Sequence, residues 1–304
     1  MNPVIETFFD PILPVFGIML VGIFCARTGF FEVSAAHAIN RFVFYVAVPA
    51  LLFDLLSQAD LGRLQWSVLL SYFGSEMVLF AGGAILARTV LRRGMGESLL
   101  LGMAACFGNH VFFVLPIAER IFGSGVVVPI TAIIVVDTTL IFGTTIIGLE
   151  ISMHRGEPWW KVARSFLHSP VLLVIGAGLA INLSAVSLPS GISTFTSFAG
   201  GAAAPAALFA LGIVLAAPGR GAYDGAAGAI AGLKVIVHPL VAWILLGWVS
   251  ATQTWHDVAL LVAAGPCGAM PFVLATNYRI EASTIGKAVL YSTIASLISL
   301  AIIA

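Results

Sequence analysis

Three ionisable side chains lie in the middle of long apolar runs: Glu76, Asp137 and Lys234. A charge held at the centre of a bilayer costs at least about 2.5 kcal/mol, so such residues are candidates for proton, ion or substrate handling. A buried carboxylate beside a cation stays charged, and one that loses its partner can take up a proton. Glu76 and Lys234 could therefore form a coupling pair or a static ion pair that tightens packing. Asp137 could cap a helix break or couple to a proton or sodium with Ser292 and Thr293, or it could be satisfied by Thr138. His110 could titrate near neutral pH, or serve as a neutral, hydrogen-bonded lining residue. His238 reads as structural and Asp54 as solvated.

The second chemical feature is the stretch "CFGNHVFFVLPIA", Cys106 to Ala118, inside one apolar run. Gly108, Asn109 and His110 interrupt it, and Pro116 follows. "GPCGAMPFVLATN", Gly265 to Asn277, interrupts another run with Pro266, Cys267, Gly268 and Pro271. Gly and Pro interruptions at corresponding points of two apolar segments are the best sequence pointer to a transporter's binding site. A broken helix exposes backbone N–H and C=O groups at mid-membrane, tolerable only where they line a cavity or bind something. The N-termini of the second half-helices would favour an anion there. Asn109 suits the N-cap. Pro116 and Pro271 are the expected helix-break prolines. Gly108, Asn109, His110, Pro266, Cys267 and Gly268 are the candidate substrate residues.

The surrounding chain has 304 residues, 60% hydrophobic and 9% charged. Soluble domains carry roughly a quarter charged residues. An all-α, polytopic membrane protein follows, with the lipid bilayer as its main partner. The formal net charge is zero, without a basic tail, which gives nucleic-acid binding no support. Cys25, Cys106 and Cys267 have no metal-ligand spacing and read as small buried hydrophobes. No metal and no cofactor are expected.

Ten apolar runs reach the roughly 20 residues that a membrane helix needs: 8–27, 35–57, 66–90, 97–122, 126–151, 165–183, 189–217, 225–250, 255–277 and 282–303. Loops after odd-numbered runs hold eleven Lys and Arg, and those after even-numbered runs hold only Arg63 and Arg120. Basic loops stay in the cytoplasm, so both termini are expected outside. "VPALLF" (Val48 to Phe53) matches "APAALF" (Ala204 to Phe209) 156 residues on, and "FVLP" (Phe113 to Pro116) matches "FVLA" (Phe272 to Ala275) 159 residues on. Lys234 lies 158 residues after Glu76. A duplicated five-span unit, 1–151 and 152–304, would be an inverted repeat because five is odd.

The motifs "PALLF" at 49–53, "GNHVFFVLP" at 108–116, "PAALFALGIVLA" at 205–216, "KVIVHPLVAWILL" at 234–246, "PCGAMPFVLATNY" at 266–278 and "STIGKAVLYSTIASL" at 283–297 together resemble the auxin efflux carrier family. That family includes plant auxin exporters and bacterial carriers of malonate and other organic acids. The resemblance implies two inverted five-helix repeats in which spans four and nine cross at unwound centres, a plan shared with bile-acid symporters. It implies a scaffold of spans 1, 2, 6 and 7, often dimeric, and a moving transport domain of the others. It also puts a coupling carboxylate at Glu76. The chain departs from the family pattern at Gly108, where Pro is frequent, at Val114, where Gly is frequent, and at Ser169-Pro170, where Asn-Pro is frequent.

The expected function is elevator-type secondary transport of a small organic anion across the inner membrane, proton-coupled or potential-driven. A sodium-coupled symporter of bile-acid type is the first rival. A non-transporting receptor is another. An intramembrane enzyme would need facing catalytic groups, and the sequence has no His-Glu-x-x-His or paired aspartate motif, so no enzyme is expected.

Overall fold

The computed structural model of the protein describes residues 3–59, 62, 64–154, 169–184, 186–216 and 223–303. The described residues form helices and connecting turns, without a strand. In chain order we number α1 Pro3–Arg27, α2 Val33–Ser57, α3 Trp66–Val90, α4 Met95–Cys106, α5 110–122 and α6 Val127–Met153. Then follow α7 Pro170–Ser184, α8 Ser190–Leu215, α9 Gly225–Leu246, α10 Gln253–Ala264, α11 Met270–Asn277 and α12 Ser283–Ile303. The start of the expected sixth span (165–168) and Arg63, Arg155, Lys161, Arg164 and Arg220 lie outside the described residues.

Five of these helices, α2, α3, α6, α8 and α9, are long and apolar enough to cross a membrane. The 25 residues of α3 extend about 37 Å, against roughly 30 Å of hydrocarbon. The apolar runs expected as spans four and nine are each divided, into α4 with α5 and α10 with α11. The divisions fall at the Gly-Asn-His and Gly-Pro-Cys-Gly stretches, where glycine and proline weaken helix.

Three helices contain a wide π-type turn just ahead of a proline: Val43–Ala47 before Pro49, His110–Val114 before Pro116 and Leu233–Val237 before Pro239. Proline lacks an N–H and crowds the carbonyl four residues back; a wider turn relieves the conflict without ending the helix. Asp137–Phe142 in α6 is wide as well, without a proline.

α1 packs along α8, and α2 along α7 and α8; α3, α4, α9, α10 and α12 pack among themselves. Small residues set the closest crossings. A Cβ on Gly22 of α1 would stand 2.3 Å from the Phe209 carbonyl oxygen of α8, and one on Gly212 would stand 2.1 Å from that of Met19. Between bilayer helices the surrounding lipid is as apolar as leucine, so such backbone approach supplies much of the association.

Candidate functional site

The two helix breaks meet. Gly108 and Cys267 form an isolated antiparallel bridge. Asn109 donates its N–H to the Pro266 carbonyl at 2.9 Å, and Gly268 donates to the Phe107 carbonyl at 3.0 Å. The Cys267 N–H goes to Ser292 Oγ of α12 at 3.1 Å. Each break thus satisfies backbone groups of the other, as burial in an apolar medium requires.

A cavity of ≈ 60 Å³ lies beside this junction, lined by Gly108, Asn109, His110, Thr138, Gly268 and Met270, and walled by apolar residues of α2, α6 and α8. One water needs roughly 10–15 Å³ measured this way, so the space suits a few heavy atoms. Asn109 precedes α5, but its side chain makes no capping hydrogen bond. The expected cap is therefore not formed. The first turn of α5 is wide, and the Asn109 carbonyl accepts from Val114 N at 3.2 Å, a geometry that differs from the turn an asparagine normally caps. The Asn109 amide is left for the cavity it lines.

Next to the cavity, three buried side chains from three helices converge: Glu76 of α3, His110 of α5 and Asp137 of α6. One ligand atom from each lies within 4.8 Å of the other two. His110 Nε2 contacts Asp137 Oδ2 directly. Both Glu76 carboxylate oxygens and Asp137 Oδ1 have no hydrogen-bond partner among the described residues. His110 gets its position from Gly108, since a Cβ there would stand 2.4 Å from the His110 Cε1. Gly108, which has no side chain to fill that space, is the residue that admits the imidazole.

Lys234, also buried, does not form the static pair with Glu76. Its Nζ donates to the Ala263 carbonyl at 2.7 Å, at the end of α10 and beside the second break. A cation at a helix C-terminus is favoured by the orphan carbonyls and the dipole there. Asp137 does not bond Thr138, whose hydroxyl donates to the Ile134 carbonyl at 2.7 Å. Ser292 and Thr293 are buried, but their hydroxyls donate to the Val289 carbonyl of their own helix, at 3.0 and 2.7 Å. Asp54 accepts from Thr196 Oγ1 at 2.9 Å and Gln58 Nε2 at 2.7 Å, so it is tied to α8 rather than simply solvated.

Of the other expected residues, Gly268 lines the cavity, while Pro266 and Cys267 take part through the backbone junction. Pro116 is the second residue of the regular part of α5, beyond the break, and Pro271 is the second residue of α11. Sequence reasoning missed Asn40. It is fully buried in α2 and donates to Thr276 Oγ1 of α11 at 3.3 Å, tying the second broken segment to a neighbour. An asparagine within a membrane-length, mainly apolar run was the available signal. Tyr72 and Ser75, one turn and one residue before Glu76, pack against His238, with Ser75 Oγ 3.3 Å from its Nε2.

Comparison with known proteins places the chain among membrane transporters. A family model described as "Membrane transport protein" matches residues 7–158 and 160–304. A protein of Rhizobium meliloti named "Putative malonate transporter" is 26% identical over 293 residues, covering 94% of this chain and 91% of its own. An "Uncharacterized transporter" of Methanothermobacter thermautotrophicus is 29% identical over 295 residues, covering 96% of this chain and 95% of its own. The chain belongs to this membrane transport protein family, that of the auxin efflux carriers.

Proposed function

We propose that the protein is a secondary carrier for a small organic anion of malonate type, working by elevator-type alternating access in the inner membrane. The observation that carries this reading is the paired break. Two interrupted helices exchange backbone hydrogen bonds beside a small cavity, and a buried ionisable cluster adjoins it. The half-helix N-termini of α5 and α11 and the Asn109 amide supply donors for a carboxylate. The relative named for malonate supports the substrate class.

Ten spans in two inverted repeats, 1–151 and 152–304, fit the twelve helices when α4 with α5 and α10 with α11 each count as one span. α1, α2, α7 and α8 form the scaffold in this reading, a surface for homodimerisation, and the remaining helices form the transport domain. Two buried carboxylates stand near a single ammonium, which can balance only one of them when both are ionised. Glu76, Asp137 and Lys234 are therefore where a coupling cation or proton would be exchanged, driven by its gradient or by the membrane potential.

Purified protein in liposomes tests the reading. Radiolabelled malonate should accumulate under an imposed pH gradient or potassium-diffusion potential. Dependence on sodium alone would instead favour the bile-acid-symporter type of coupling. Asn109→Asp cannot donate when ionised and repels an anion, and Asn109→Ala removes the donor. Both should abolish malonate binding, with melting temperatures near wild type because no cap is lost. Wild-type uptake by folded Asn109→Asp would remove the junction from substrate recognition.

A further inference from the structure

We propose that Glu76, His110 and Asp137 form a binding site for one divalent first-row transition-metal ion. The three side chains reach one point from α3, α5 and α6, and one ligand atom of each lies within 4.8 Å of the others. All three are buried. Three carboxylate oxygens there, both of Glu76 and Oδ1 of Asp137, have no partner among the described residues. Leaving buried polar atoms unpaired is costly, most of all for charged groups. A proton bridges two acceptors; a metal ion engages one atom from every side chain at once.

The donor set selects the ion. Sodium, magnesium and calcium take oxygen ligands, whereas imidazole suits zinc, copper, iron and nickel. One imidazole with two carboxylates is a first-row donor set, with metal–ligand distances near roughly 2.0–2.2 Å. The His110–Asp137 contact would open to admit the ion. The imidazole is held for this purpose by a specific local choice, Gly108, whose missing Cβ leaves its space.

Two other ionisable groups packed nearby are engaged elsewhere, while the buried Tyr72 hydroxyl lies beside Glu76. Lys234 is held on the Ala263 carbonyl at 2.7 Å, and His238 lies 3.3 Å from Ser75 Oγ. Two carboxylates, one ammonium and a divalent ion sum to one positive charge, which favours an anion in the adjoining cavity. The inference uses the side chains assigned to coupling above but does not need the transport reading, because metal binding is measured without transport.

The test is Co²⁺ binding to purified, tag-free protein in detergent, followed by visible d–d absorption and by calorimetry. A background with His37→Ala, His154→Ala, His168→Ala and His256→Ala keeps only His110 and His238 of the six histidines. One Co²⁺ per chain should bind that background and raise its melting temperature. Loss of an outer-shell partner alone costs metal sites about 10–100-fold, so His110→Ala and Glu76→Gln should each weaken Co²⁺ by at least about 100-fold. Bands absent from the folded background protein would overturn the site, as would an affinity unchanged from the background in either folded variant. If either variant fails to fold, imidazole nitrogen coupling in the electron-spin-echo spectrum of the Cu²⁺-loaded background decides. His238 is the one other imidazole left there, so His238→Gln must preserve the coupling; its loss in that variant would overturn the assignment.

Discussion

At the scale of single residues, the position of His110 depends on a glycine two residues before it. A Cβ on Gly108 would lie 2.4 Å from His110 Cε1 and 2.8 Å from Nδ1. Gly108→Ala should therefore push the imidazole off Asp137, at about 1–3 kcal/mol, the usual cost of overpacking. In the Gly108→Ala, His110→Ala double variant the clash is gone, so the two losses should fall well short of additive in melting experiments. Strict additivity would show that the glycine serves the backbone bridge alone. Much at this scale was legible in the sequence. Glu76, Asp137 and Lys234 stood out because charge is rare in apolar runs. Their partners did not, because those lie on other helices. Lys234 could equally reach a carboxylate or a carbonyl, and only the path of α10, which ends in Ala264 next to it, selects the Ala263 carbonyl. The Asn109 cap was a sound inference for an ordinary first turn, and the wide turn that Pro116 favours changes that geometry.

Helix boundaries carry their own chemistry. Asp224 is the N-cap of α9: its Oδ1 accepts from Ala226 N at 3.0 Å and Ala227 N at 3.2 Å, and its Oδ2 accepts from Thr284 Oγ1 of α12 at 2.9 Å. It thus fixes the start of the helix that carries Lys234 against the last helix. Asp224→Ala should lower stability by about 1 kcal/mol, and Asp224→Asn, which can still cap, by less. Burial opposes ionisation of Asp224, yet hydrogen bonds from Thr284, Ala227 and Ala226 and the charge of Lys287 outweigh it and hold the carboxyl below its ordinary range. A lowered folded-state value stabilises the protein above the unfolded-state value and loses that effect as pH falls through the folded one. The melting difference between wild type and Asp224→Asn should therefore be full at neutral pH and shrink below about pH 4. A pH-independent difference would assign it to the hydrogen bonds alone. The two divided runs were legible as glycine and proline interruptions, and the π turns were not. Proline announces a local conflict, but whether the helix kinks, widens or stops depends on what packs against it.

For the molecule as a whole, several contacts recur at the offsets of the proposed repeat. Residue 267 follows 108 by 159 positions, so the bridge joins counterparts, and its two flanking hydrogen bonds, Asn109 to Pro266 and Gly268 to Phe107, exchange under the same offset. Far from the junction, Gly22 approaches Gly212, and 156 residues after Gly22 stands Gly178, whose missing Cβ would lie 2.9 Å from the Leu56 Cβ, 156 residues before Gly212. Short apolar matches in the sequence suggest the same offsets, and these reciprocal contacts support the proposed repeat. A two-fold relation that exchanges spans of odd-numbered units requires the halves to enter the membrane from opposite faces, and that requirement can be measured. Arg92 follows α3 and His154 follows α6, on loops expected in the cytoplasm from their basic neighbours, whereas Ser187 lies in the exposed connection between α7 and α8, expected outside. Single cysteines at these positions, with Cys25, Cys106 and Cys267 replaced by alanine, should respond differently to an impermeant maleimide in intact cells. Ser187→Cys should be labelled at once; Arg92→Cys and His154→Cys should be labelled only after the membrane is permeabilised. Labelling of all three in intact cells would rule out the opposed halves, and with them the two-fold that makes one pair of broken helices into a shared site.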